Sequence, residues 1–198
     1  MNLKMLIYCT KAKGKNYYLR KLPNGRYCLS RDKGNSLNGK IVAVSDFDVE
    51  EIIHTYENKG TTHHRYNTKT LDNEQLLRKS RIFGQGLNDY LGDHDYDKNN
   101  NVVGYAIHIK NLNIFDKSKE LSDFYTHDNS YDNLFGWAFE DREKYIPLKK
   151  APQNMCYAFD KYGNKYVVIS VHPEWLCLIL NGLKDVELRR KVLKEMKE

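Results

Sequence analysis

Apolar side chains along this sequence recur in short runs or at every second position, and clusters of Gly, Asn and Pro separate them. That pattern predicts strands joined by turns. Residues 4–10 are a compact apolar run that reads as a buried strand, and residues 17–22 and 26–30 flank Pro23-Asn24-Gly25. Proline presets φ and Asn-Gly tolerates positive φ, so these two segments are expected to form a β-hairpin. Residues 40–48 are rich in β-branched side chains and lead into 49–54, extending the strand reading. Residues 55–70 lack a periodic apolar pattern and are expected to be a polar surface excursion.

Helical spacing enters after Asp72. Asp72 or Asn73 can cap a helix over residues 74–82, and a second short helix fits residues 87–91. Residues 93–101 read as a polar loop, 102–109 and 112–115 as strands, and 118–125 as one or two helical turns with Leu121, Phe124 and Tyr125 facing inward. Residues 126–146 are Tyr-rich and acidic and are expected to cover a surface, with 147–152 as a linker. A hairpin is predicted for 154–159 and 165–171 around the turn 160–164. Pro173 suits a first helical turn, and Trp175, Leu176, Ile179 and Leu180 share one face until Gly182 ends it. Residues 184–190 then alternate charged and apolar, as a half-buried strand does. Roughly five to seven strands with few short helices predict an α+β fold built on a small β-barrel.

Composition narrows the class. The chain has 198 residues, 40% hydrophobic and 29% charged, which fits one globular domain. No run approaches the roughly 18 to 20 apolar residues of a membrane helix, and the N-terminus turns basic too early for a signal peptide. No membrane partner and a cytoplasmic location are expected. Cys9, Cys28, Cys156 and Cys177 form no C-x-x-C pair, so buried free thiols in a reducing compartment are expected, without disulfides or a zinc cluster. The net charge of +6 is uneven: residues 1–40 carry ten Lys or Arg against Asp32 alone, a balance of +9, which leaves −3 for the remainder. Tyr8, Tyr17, Tyr18 and Tyr27 lie among those charges, out of 15 tyrosines in all. Cations meet phosphates and rings stack on bases, so the mixture suits single-stranded nucleic acid; a solvated basic surface with tyrosines at strand positions is the alternative.

Catalytic and metal motifs are sparse. Asp93-x-Asp95-x-Asp97-x-Asn99 begins like a calcium loop, but Lys98 replaces the turn glycine and Gly104 stands at the twelfth position, so a solvated acidic loop is expected. His63, His64 and His94 are not spaced as a metal site. No metal and no cofactor are implied. What remains is Lys184, Glu187 and Arg189, delivered in quick succession after Gly182, a group able to grip a planar polar ligand or move a proton. Its alternative is a solvated salt pair on a strand face.

The segment from Val168-Ile169-Ser170-Val171-His172-Pro173-Glu174-Trp175 to Gly182-Leu183-Lys184-Asp185-Val186-Glu187-Leu188-Arg189-Arg190 resembles the ASCH domain family, a PUA-like β-barrel group. There a strand leads into a helix ending in G-x-K and on into a strand with an E-x-R or T-x-R ending. Blocks at residues 7–11, 38–43, 105–109, 114–122 and 151–157 resemble the phage and prophage branch, leaving 55–101 and 126–146 as variable inserts in a single domain. In that family the G-x-K unit precedes the Tyr-Cys-Thr-Lys strand, whereas here it follows. The resemblance therefore implies a circular permutation that sets Leu188–Arg190 beside Met5–Thr10, or else a domain-swapped homodimer or a truncated second copy.

For function, the resemblance implies a protein that binds RNA or a modified nucleotide. Lys11, Lys13, Lys15, Arg20 and Lys184 would contact phosphate, Arg189 and Glu187 would read a base edge, and Tyr8 or Tyr105 would stack. The family's amidohydrolase and ribonuclease members imply a second possibility, with Lys184 as acid-base group assisted by Glu187 or His108. Where that branch places a nucleophilic Thr this chain has Glu187, and a carboxylate does not replace a hydroxyl in amide hydrolysis. Gln153 could orient a ligand amide or cap a turn, and His108 could be a core histidine. A third possibility is a phage protein whose residues 126–146 engage a host protein. Whether any reaction occurs is left open by the sequence.

Overall fold

The computed structural model describes residues 3–11, 17–58, 62–83, 86–91, 101–127 and 145–198. Its strands are β1 (Lys4–Cys9), β2 (Tyr18–Lys21), β3 (Tyr27–Ser30), β4 (Ile41–Asn58), β5 (Thr62–Asn67), β6 (Asn101–Lys119), β7 (Tyr125–His127), β8 (Tyr145–Pro147), β9 (Met155–Phe159), β10 (Lys165–Val171) and β11 (Val186–Arg189). Helices α1 (Asn73–Ser80), α2 (Gly86–Leu91) and α3 (Pro173–Leu180) are short. The class is a sheet-dominated α+β fold.

The chain divides into two compact units, one of residues 1–45 and 113–176, the other of 46–112 and 177–198. In the first unit the ladder order is β4-β1-β10-β9-β7-β8, with β2 and β3 as a separate two-stranded ribbon. In the second it is β11-β6-β4-β5. Within each unit the described ladders are open.

Strand β1 explains its own apolar run. It pairs in parallel with β10 and antiparallel with β4, so both edges are taken, and Met5–Cys9 are all buried. A strand covered in this way reads as continuous hydrophobicity. Leu6, Tyr8, Ile41, Phe124, Leu148, Ala158 and Val168 form the core of this unit. The β2–β3 turn is the predicted one: Gly25 takes φ +83° and the Arg26 amide donates to Asn24 Oδ1 at 3.0 Å. Asn38 fastens the ribbon, accepting from the Leu19 amide at 2.9 Å and donating to the Tyr17 carbonyl at 3.0 Å. The predicted 160–164 turn is organised by Asp160, whose carboxylate accepts from the amides of Tyr162 and Asn164, each at 2.9 Å.

In the second unit, Asp72 is the cap of α1 and completes a capping box with Gln75. Leu76, Leu87, Leu91, Val103, Ala106, Val186 and Leu188 pack with Ile52 and Tyr66 into its core. No described helix is long and apolar enough to cross a membrane.

Two expectations need correction. Within the expected polar excursion, β4 continues to Asn58 and pairs with β5 as a hairpin. Its cross-strand partners are rings: His54 stacks on His64 at 5.2 Å and on Tyr66 at 4.9 Å, and histidine conceals such pairing from an apolar count. The strands expected at 102–109 and 112–115 are one element, β6, because Asn111 takes φ +48° and lets the chain bend without ending; the helical turns expected over 118–125 reduce to one 3-10 turn, Leu121–Asp123. Strand β11 pairs with β6 of the same chain, Glu187 opposite Ile107 and Arg189 opposite Tyr105.

Candidate functional site

The first unit holds a pocket of about 660 Å³ whose lining includes Tyr8, Lys11, Gly39, Ser122, Lys149 and Lys150. The volume is that of a small-molecule site. Lys11 stands two residues beyond the end of β1, and its stem crosses Gly39, where a Cβ would stand 3.1 Å from Lys11 Cε. Gly39 also takes φ +86°, so glycine serves both the backbone and the lysine. The carboxylate in the lining, Glu120, is ion-paired with Lys40. The lining thus includes three lysines and a serine, with its one carboxylate already matched. Tyr8 is only 2% exposed, which makes it a wall more than a stacking platform. Burial raises its phenol pKa, with Cys9 and Glu120 adding to the shift.

The second unit gathers the other sequence candidates. Turn residue Lys184 reaches inward from the end of the Gly182 turn; its ammonium donates to the Ser80 carbonyl at 2.6 Å and the Val186 carbonyl at 2.7 Å, and lies 3.3 Å from Glu187 Oε2. Burial pulls its pKa below the ordinary lysine value, against the opposing pull of Glu187. Arg189 donates to Glu187 Oε1 at 2.5 Å. The antiparallel register places Glu187, Arg189 and Tyr105 on one face of the β6–β11 ladder. Tyr90 of α2 joins from the side, its hydroxyl donating to the Leu188 carbonyl at 2.7 Å. Lys197 Nζ lies 4.4 Å from the centre of the Tyr105 ring and donates to its hydroxyl at 2.6 Å.

His108 falls opposite Val186, and hence on the other face from Glu187 and Arg189. It meets Glu50 at 3.1 Å, a carboxylate that also accepts from Thr68 at 2.5 Å and Thr70 at 2.8 Å. Desolvation pushes the Glu50 carboxyl up, but these hydrogen bonds outweigh it and hold the pKa below the usual value.

The sequence candidates thus separate into Tyr8 with Lys11 in the first unit, Lys184 with Glu187, Arg189 and Tyr105 in the second, and His108 with Glu50. Gln153 is exposed and does not line the pocket; the neighbouring Pro152 carbonyl accepts from Ser170 Oγ at 2.6 Å. Lys13, Lys15, the acidic stretch 93–99 and most of the expected host-binding segment 126–146 lie outside the described residues. Of the four free cysteines only Cys9 is fully buried, the other three being half-buried. Lys149 and Lys150 were missed because a Pro-flanked stretch reads as a linker; the signal was the adjacent pair of lysines between two apolar residues. Lys197 was missed because nothing in its local sequence points to Tyr105. Compared with known protein families, with curated proteins and with solved structures, the chain gives no match to any of the three.

Proposed function

We propose that the protein binds nucleic acid or a nucleotide, with RNA as the favoured class, in the cytoplasm of a bacterium or of a phage-infected host. The observation that carries this reading is the pocket of the first unit, where Lys11, Lys149 and Lys150 line a nucleotide-sized space whose acidic wall, Glu120, is paired with Lys40. Lysines lining the same space as a serine and an aromatic wall suit a phosphate attached to a ring. The ASCH-like blocks, and with them a PUA-like barrel, belong to the same proposal. The alternative, a small nucleoside hydrolase or ribonuclease using Lys184, is less well served: two carbonyls and a carboxylate already occupy the three hydrogen-bonding directions of that ammonium.

The test is titration of fluorescent single-stranded RNA and of mononucleotides at rising salt. Binding should weaken steeply as salt is added, because each neutralised phosphate releases counterions. The Lys149→Glu/Lys150→Glu variant should lose most of the affinity while its unfolding curve stays unchanged. Salt-independent binding, or undiminished affinity in that variant, would overturn the assignment.

A further inference from the structure

The ring of Tyr105 already has an occupant. Lys197 places its ammonium 4.4 Å from the ring centre and donates to the phenol oxygen at 2.6 Å. The segment bearing it is anchored: Met196 is buried, and the amides of Met196 and Lys197 donate to the carbonyls of Leu193 and Lys194, each at 3.1 Å. Lys197 itself is exposed, as are Arg190, Lys191 and Lys194 earlier in the same segment and the acidic Glu195 and Glu198. A ring already faced by the Lys197 ammonium, with Arg189 opposite it in the ladder, is a poor site for an external cation and a good one for a neutral ring that carries a phosphate.

We propose that Tyr105 is a stacking subsite for a nucleobase of single-stranded nucleic acid and that Lys197 keeps it covered until the strand arrives. This rests on the nucleic-acid reading above and adds a subsite and its regulation. An exposed cation–π contact is weaker than the stacking of a base on a tyrosine, so an incoming base displaces the ammonium, whereas a bare phosphate chain does not. Tyr105 stands opposite Arg189 in the β6–β11 register, and Glu187 fixes that guanidinium, so the displaced position borders a held cation on a firm strand pair.

The sign of one substitution separates this from an ordinary phosphate contact. Lys197→Ala removes a positive charge, and if the lysine merely met phosphate, affinity would fall alike for oligouridylate and for an abasic oligomer of equal length. If it covers the ring, affinity for oligouridylate rises about two- to fivefold, the factor corresponding to an exposed cation–π contact, and the abasic oligomer gains nothing. Adding Tyr105→Leu should cancel the gain. A loss for both oligomers, or no change, overturns the proposal. Should the wild-type protein bind neither oligomer, the nucleic-acid reading fails by itself, and the cover is read separately from acetylation of the Tyr105 phenol by N-acetylimidazole. Peptide mapping should show a severalfold faster reaction in Lys197→Ala than in wild type, and equal rates would overturn the covering role.

Discussion

Lys184 Nζ lies 3.3 Å from Glu187 Oε2 with only 1% and 6% of the two side chains exposed. Two charges taken that far out of water are tolerable only together; without Lys184, Glu187 would keep Arg189 as its partner, but the Ser80 and Val186 carbonyls would lose their donor. The same ammonium ties Ser80, the last residue of α1, to the β11 strand through the Val186 carbonyl. Lys184→Met should therefore lower unfolding free energy by about 1 to 3 kcal/mol in urea titrations, the range for buried polar groups left without a partner. A loss below about 1 kcal/mol would mean that the pair is not fixing β11.

A different buried group governs alkaline behaviour. Burial, with a smaller contribution from Glu174, pushes the Cys9 thiol up to about 12 from 9.0. Its proton is held more tightly folded than unfolded, so the folded protein binds more protons between those two values. Stability is then fully present below pH 9 and is lost as the pH rises toward 12, by at most about 4 kcal/mol for a shift of that size. Cys9→Val should flatten the decline between pH 9 and 11 in urea midpoints. An equally steep decline in the variant would assign it to other groups, among them Tyr8, whose raised pKa acts in the same direction.

The acid limb should depend on Glu50. Its pKa is held below 4.5, so its contribution is present above that value and is lost as the pH falls through the folded-state pKa. The strongest local support is the Thr68 hydroxyl at 2.5 Å. Thr68→Val should cost about 1.5 to 3 kcal/mol at pH 7, the range for hydrogen bonds to charged groups, and progressively less as the pH falls through the folded-state pKa. Acid unfolding followed by circular dichroism should accordingly begin at a higher pH in the variant. A cost that does not change with pH would show lost packing instead.

Where each contact partner lies in the chain decides how much of this was legible. The β2–β3 turn, the Asp72 cap and the Asp160 turn were readable because each is closed by neighbours within a few residues, through positive φ or a side chain bonding its own backbone. Lys184, Glu187 and Arg189 were readable as a group because one turn and one strand deliver them. Their burial was not, since it is imposed by Ser80, a hundred residues away, and by β6. Strand β5 was hidden because its pairing face carries His64 and Tyr66 rather than aliphatic residues. The parallel pairing of β1 with β10 left a trace only in the apolarity of both strands, with no signal for which partner each would take. Lys149 and Lys150 became part of a site only once Leu121 and Lys11 were brought to the same pocket, a long-range event that local spacing does not encode.

Gly104 carries a constraint that its place in a strand does not announce. A Cβ there would stand 2.8 Å from Leu91 Cδ2 and 3.0 Å from the Arg189 carbonyl oxygen. The leucine methyl can swing aside. The carbonyl cannot, because it belongs to the β11 strand that pairs with β6. Gly104→Ala should therefore destabilise by about 1 to 3 kcal/mol, the usual cost of overpacking. Leu91→Ala alone should cost about 2 to 5 kcal/mol as a cavity in the core. The double variant should cost less than the two together, since the vacated leucine space admits the new methyl, but more than Leu91→Ala alone, because the carbonyl contact remains. Full additivity in chemical denaturation would show that the two residues do not meet. Complete rescue to the Leu91→Ala value would show that β11 yields at Arg189, and that the guanidinium face beside Tyr105 is less firmly held than its hydrogen bonds imply.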